Sequence, residues 1–144
     1  MFNMKSITLL IIASIISCNF VLSQTDSLRF PDEKHLKNIK QLTFGGQNAE
    51  AYFSFDESKL IFQSERDSFG CDQIFSMNVD GGNLSLLNSG KGKTTCAYFL
   101  PGDTTFIFAS THLGGDECPP KPDFSKGYVW SLVKSFDISR NSAA

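Results

Sequence analysis

Two apolar segments of this 144-residue chain recur with the same offset. Ala51-Tyr52-Phe53 returns 46 residues later as Ala97-Tyr98-Phe99, and residues 60–64 return at the same spacing as residues 106–110. A repeat of this length restricts the fold, because each copy must be one supersecondary unit that packs against its neighbour. Turn-forming residues lie between the paired segments, so each copy is predicted to open with a β-hairpin.

The first copy contains two further predicted strands. Residues 73–79 alternate along the strand, and Asp80-Gly81-Gly82 then turns the chain into residues 83–87. The 14 phenylalanines also favour packed strands over solvent-facing helices. We therefore expect an all-β fold. A four-stranded antiparallel unit that recurs every 40 to 50 residues or so is typical of a β-propeller blade, and two unrelated hairpins of a β-sandwich are the alternative.

The chain resembles a TolB-like propeller repeat over residues 41–141. Five segments occur in the family's order: Leu42-Thr43, residues 52–56, residues 59–64, residues 72–78 and Asp80-Gly81-Gly82. The family's usual Pro-Asp-Gly turn is Phe55-Asp56-Glu57 in the first copy and Pro101-Gly102-Asp103 in the second. The resemblance implies two consecutive antiparallel blades, residues 41–87 and residues 88–144.

The second predicted blade is incomplete. An insertion, residues 111–134, separates its second strand from residues 135–141, which resume the pattern of the third strand, and no fourth-strand pattern follows. A propeller closes with roughly four to eight blades, and an open pair would leave apolar faces and strand edges in water. We therefore expect an N-terminal fragment of a larger ring. Self-association and a marginal, aggregation-prone domain are the alternatives.

Residues 1–23 are predicted to be a secretory signal peptide. Lys5 precedes an apolar run at residues 7–16, which is too short to span a bilayer. Val21-Leu22-Ser23 fits an ordinary cleavage site, whereas residues 15–18 resemble a bacterial lipobox whose Cys18 would be lipidated. Residues 24–40 would form a linker. The protein is thus expected in the periplasm or cell envelope, as a lipoprotein or a secreted protein.

The charge balance excludes some partners. The 13 basic and 15 acidic residues leave a formal charge of -2, with no basic stripe. Nucleic acid is therefore not an expected partner, and membrane attachment is expected only through a lipid anchor at Cys18.

Three cysteines would remain after export: Cys71, Cys96 and Cys118. An oxidising compartment predicts one disulfide and one free thiol. In the implied propeller, Cys71 and Cys118 occupy equivalent loops, and Cys96 begins the innermost strand of the second blade. A disulfide from Cys96 to Cys71 or Cys118 is compatible with that geometry.

The sequence contains no strong catalytic or metal-binding motif. No Cys-x-x-Cys, His-Glu-x-x-His or Gly-x-Ser-x-Gly pattern occurs, so we predict no catalytic residues, no metal and no cofactor. Metal-dependent chemistry stays a lesser alternative, and its candidate ligands are Cys71, Asp72, Cys96, His112, Asp116, Glu117 and Cys118.

The insertion supplies a candidate partner-binding face. Its stiff Pro119-Pro120-Lys121-Pro122 stretch precedes several aromatic residues, which suit either recognition or local packing onto the sheet. The candidate residues are His112, Asp116, Phe124, Tyr128 and Trp130.

Two functions follow as hypotheses. The first is a noncatalytic, exported β-propeller scaffold that binds a protein, peptide or glycan in the cell envelope. The second, implied by the resemblance alone, is the gating propeller of a larger secreted hydrolase such as a serine peptidase.

Overall fold

The computed structural model describes residues 28, 30–129 and 131–143, which belong to two units, Met1–Gln41 and Leu42–Ala144. All the described strands lie in the second unit, and they form a four-stranded and a three-stranded antiparallel sheet. The strands are β1 (Gln47–Phe53), β2 (Lys59–Glu65), β3 (Gln73–Asn78), β4 (Ser85–Leu86), β5 (Thr94–Phe99), β6 (Thr105–Ser110) and β7 (Asp137–Ser142). The only described helix is the short 3-10 segment His112–Gly114. The prediction of an all-β fold is confirmed.

The described part of the first unit contains turns but neither a strand nor a helix. In this unit the Glu33 carboxylate accepts the backbone N–H of His35 and, at 3.1 Å, that of Leu36. These bonds lower the pKa of Glu33. The predicted signal peptide and Cys18 lie outside the described residues. Within those residues, no helix is both long and apolar enough to cross a membrane.

The first sheet has the strand order β1-β2-β3-β4, and the second has the order β5-β6-β7. Both opening hairpins have the same register. Phe53 pairs with Leu60 in the first sheet, and Phe99 pairs with Phe106 at the equivalent positions of the second. The predicted hairpins are therefore confirmed, and the 46-residue repeat of the sequence is also a repeat of the structure.

The first strand of each sheet, β1 and β5, contains a bulge at the same position of the repeat. The register shifts between Ala49 and Tyr52 in β1, and between Thr95 and Tyr98 in β5. Glu50 and Cys96 lie at these bulges, with φ angles of 52° and 55°. This left-handed backbone is uncommon for residues other than glycine, and a bulge redirects side chains at the edge of a sheet.

The two hairpin turns differ in backbone conformation at one position. Gly102 has a φ of 90°, the value that the third position of a type II turn requires after Pro101. Asp56, its equivalent, has no such positive φ, and its carboxylate instead accepts hydrogen bonds from Ser54 Oγ at 2.7 Å and Ser58 N at 3.0 Å. These bonds lower the pKa of Asp56 to about 2. The Asp56 carboxylate therefore stays ionised, and keeps the turn closed, well into the acidic range.

A carboxylate joins the two turns. The backbone N–H groups of Phe55 and Asp56 donate to Asp103 Oδ1 at 2.8 Å and to Asp103 Oδ2 at 3.0 Å. Asp103 belongs to the second hairpin, so this pair of bonds ties the end of one sheet to the end of the next.

Asp103→Ala is expected to lower the free energy of unfolding by about 1–2 kcal/mol, because two N–H groups lose a charged acceptor. Glu57→Ala is the matched control. Glu57 is the equivalent residue of the first copy, it has nearly the same φ (58° against 56°), and its carboxylate makes no such bond in the described part of the chain. Urea denaturation followed by circular dichroism measures both variants. Equal losses would show that the Asp103 bonds contribute nothing.

The main core lies between the two sheets. Ile61 and Ile74 of the first sheet pack against apolar residues of the second: Ala97, Phe99, Phe106 and Phe108. The opposite face of the first sheet carries a second cluster, in which Leu42 and Phe69 cover strand residues: Leu60, Phe62, Phe75 and Met77. Both faces of β2 and β3 are therefore buried, which explains why buried residues follow one another along most of both strands.

A buried amide network fastens the loop between the sheets. Gln73 Nε2 donates to the Gly92 carbonyl at 2.7 Å, and Asn88 Nδ2 donates to Gln73 Oε1 at 2.6 Å. Asn88 Oδ1 in turn accepts the backbone N–H of Ile74 at 2.9 Å. These bonds hold the segment that enters β5 against β3, and they satisfy amide groups that would be costly to bury alone.

Candidate functional site

The insertion is joined to the first sheet by a disulfide between Cys71 and Cys118, whose Cα atoms are 5.9 Å apart. The Asp116 carbonyl also accepts the backbone N–H of Gly92 at 2.8 Å, which brings the start of the insertion alongside the loop before β5. A covalent bond and a backbone bond thus fix the first part of the insertion.

This pairing corrects the expectation that Cys96 would pair with Cys71 or Cys118. Cys96 is the free cysteine of the described residues, and it is exposed. The physical reason is the bulge in β5. It places Cys96 where its thiol interacts with Glu50 and its backbone N–H donates to Gln63, whereas the two loop cysteines meet each other.

His112 has a local structural role. Its Nδ1 lies 2.7 Å from Ser110 Oγ, and its ring stacks on Phe108 with a centroid distance of 6.3 Å. Arg66, the equivalent residue of the first copy, donates to the equivalent serine, Ser64, at 3.0 Å. Ser110 is completely buried, so the contact between Ser110 and His112 offers no accessible nucleophile.

Two acidic residues named in the sequence analysis have lysine partners. Asp116, of the predicted face, pairs with Lys91 at 2.8 Å on the exposed surface, and Asp72, one of the residues considered as metal ligands, pairs with Lys93 at 3.1 Å. Among the residues that the structure describes, no three His, Cys, Asp or Glu side chains are arranged to hold a metal ion.

A cavity of about 540 Å³ lies between the insertion and the strands near the bulges. This volume is within the range of small-ligand sites in proteins. The insertion and the residues just after it contribute the apolar walls: Pro122, Phe124, Tyr128, Val129, Leu132, Val133 and Phe136. The strands and Lys93, which directly precedes β5, contribute a mostly polar floor: Glu50, Gln63, Lys93, Thr95, Cys96 and Ala109.

The floor is organised around Gln63. Its Oε1 accepts the backbone N–H of Cys96 at 3.0 Å and a hydrogen bond from the Thr95 hydroxyl. The Cys96 thiol interacts with the Glu50 carboxylate. Partial desolvation of the Cys96 thiol, and then its interaction with the Glu50 carboxylate, raise the pKa of the thiol, so this cysteine is a poor thiolate nucleophile at neutral pH.

The aromatic rim is formed by Phe124 and Tyr128. Their rings stack with a centroid distance of 6.2 Å and an interplanar angle of 24°, and both side chains are exposed. Of the five predicted partner-binding residues, the structure brings these two together at the cavity, whereas His112 and Asp116 do not line it. Trp130 lies outside the described residues.

Sequence reasoning missed Glu50, Gln63 and Lys93 as site residues. The repeat did contain a signal for Glu50, because this residue precedes Cys96 by the 46-residue offset and therefore shares its position on the first strand of the sheet. Gln63 and Lys93 carry no comparable signal, since their place at the cavity depends on how the two sheets pack.

Comparisons of the chain with protein-family models, curated proteins and solved structures found no match.

Proposed function

We propose that this protein is a noncatalytic scaffold of the β-propeller type that is exported and binds a protein, peptide or glycan partner in the cell envelope. In this proposal each sheet is one blade, and the surface around the cavity is the recognition face. The proposal has two separate supports, one for the blades and one for the recognition face.

The blade proposal rests on how burial differs between equivalent positions. Phe99 is 1% exposed where it packs against the first sheet, but Phe53, its equivalent in the first sheet, is 59% exposed. Ile74 is 0% exposed, but Ile138, which occupies the corresponding place in β7, is 76% exposed. The outer flank of the first sheet, which carries Phe53, therefore repeats the surface that the second sheet buries in the core. The outer flank of the second sheet, which carries Ile138, repeats the surface that the first sheet buries there. Neighbouring sheets of the same kind would bury both flanks.

The recognition face is supported by the exposed apolar surface of the insertion. Tyr128 and Leu132 are among the most exposed large hydrophobic side chains of the described residues, and they border the cavity together with Phe124. A continuous apolar patch beside a few polar groups is typical of interaction sites. The alternative of a hydrolase gate stays a prediction, since no described residue favours it.

Cysteine accessibility tests the blade proposal. Phe53→Cys and Ile138→Cys, each made in a Cys96→Ser background, are treated with a membrane-impermeant maleimide in cells that naturally export the protein, and again after purification and unfolding. We expect both positions to be protected in the native setting, because neighbouring sheets cover them.

Lys34→Cys, at an exposed position of the first unit, is the accessible control. Labelling of Phe53→Cys and Ile138→Cys at the rate of this control in the native setting would contradict the proposal, because the flanks would then face solvent.

A further inference from the structure

We infer that the cavity beside β5 accepts the arginine side chain of a partner polypeptide. The inference deepens the proposed function, on which it rests for taking the surface around the cavity as the recognition face, and it selects a polypeptide over a glycan. It depends on the charge of the floor and on the chemistry of the rim.

The floor has one carboxylate without a neutralising cation. Lys93, the basic residue of the cavity, is already paired with Asp72 at 3.1 Å. In the described part of the chain, no lysine or arginine forms a salt bridge with Glu50. The floor is therefore complementary to a positively charged group.

The remaining polar atoms of the floor are largely occupied. Gln63 Oε1 already accepts hydrogen bonds from Thr95 and Cys96, and the raised pKa of Cys96 keeps its thiol uncharged at neutral pH. Glu50 is consequently the acceptor best placed for the charge of a ligand.

The rim suits a flat cation. Phe124 and Tyr128 present stacked, exposed rings at the entrance to the cavity. A guanidinium group packs on aromatic faces, and it can also donate two parallel hydrogen bonds to one carboxylate. The apolar residues of the wall would contact the methylene groups of the same side chain. An oligosaccharide would use the rings but would leave the charge of Glu50 unpaired.

Cys96 provides a direct probe, because it lines the cavity and its thiol is free. The full chain is treated with N-ethylmaleimide at pH 8, and mass spectrometry follows labelling of the peptide that contains Cys96. The probe ligand is acetyl-Leu-Arg-Leu-amide. The matched control is the same peptide with citrulline, which has nearly the shape of arginine but no charge. Each rate of Cys96 labelling measured with peptide is divided by the labelling rate of the same variant without peptide.

We expect the arginine peptide to slow the labelling of Cys96 and the citrulline peptide to bind about 5–10-fold more weakly, as one charge pair with an aromatic contact would produce. Glu50→Gln should remove most of this preference for arginine. Tyr128→Ala should weaken the binding of both peptides.

Three results would each overturn the inference. They are equal protection of Cys96 by both peptides, protection that is unchanged in Glu50→Gln, and protection by cellotriose in place of the arginine peptide. An absence of protection by any of these probes would overturn it too. The accessibility of Phe53→Cys and Ile138→Cys is measured separately, so a failure here is distinguishable from a failure of the blade proposal.

Discussion

Phe99→Ala is expected to lower the free energy of unfolding by about 3–5 kcal/mol. Phe53→Ala should lower it by about 1 kcal/mol or less, since only strand preference and partial burial are lost. The two residues occupy the same position of the repeat, but Phe99 is enclosed by the core between the sheets and Phe53 is not. Removing the Phe99 ring both loses apolar burial and leaves a cavity.

Urea denaturation of the purified chain, followed by circular dichroism, measures both variants. The comparison controls for strand preference, because both residues are phenylalanines at the end of the first strand of a sheet, next to a hairpin turn. Similar losses for the two variants would mean that the sheets do not pack through the core described above.

Removing the disulfide should have the second large effect. A variant with both Cys71→Ser and Cys118→Ser is expected to lose about 4 kcal/mol of stability on the chain-entropy estimate for a loop of this length. The sequence separation is 47 residues, and the bond restricts the unfolded chain over that whole length. The double substitution is preferable to a single one because it leaves no unpaired loop thiol.

Cys96→Ser is the control, and we expect it to change the stability by about 0.5 kcal/mol or less. Thermal unfolding with and without a reductant provides the measurement. The reductant should lower the melting temperature of the unmodified chain and of Cys96→Ser, but not that of the double variant. A melting temperature that the double substitution leaves unchanged would contradict the expectation.

The strands could be predicted because their signals are local. Alternation along residues 73–79 and turn residues between apolar runs reflect the two-residue period of a strand and the backbone needs of a tight turn. The bulges at Glu50 and Cys96 could not be predicted in this way, because neither glutamate nor cysteine favours a positive φ strongly enough to indicate a bulge in the sequence.

The candidate site was only partly predictable. The aromatic residues and prolines of the insertion indicated an interaction surface, and Phe124 and Tyr128 do lie together. His112 and Asp116 were grouped with them because they are near in sequence, but their partners, Ser110 and Lys91, hold them away from the cavity. Which loop residue meets which neighbour depends on contacts between segments far apart in the chain.

The sequence by itself determined the all-β class, the two hairpins and their shared register, because strand period and turn chemistry act over a few residues. The tertiary structure decided which of two equivalent phenylalanines is buried, which cysteine stays free and where a carboxylate meets an aromatic rim. These outcomes depend on how the sheets and the insertion pack, since burial and pairing are set by distances between residues that the chain separates widely.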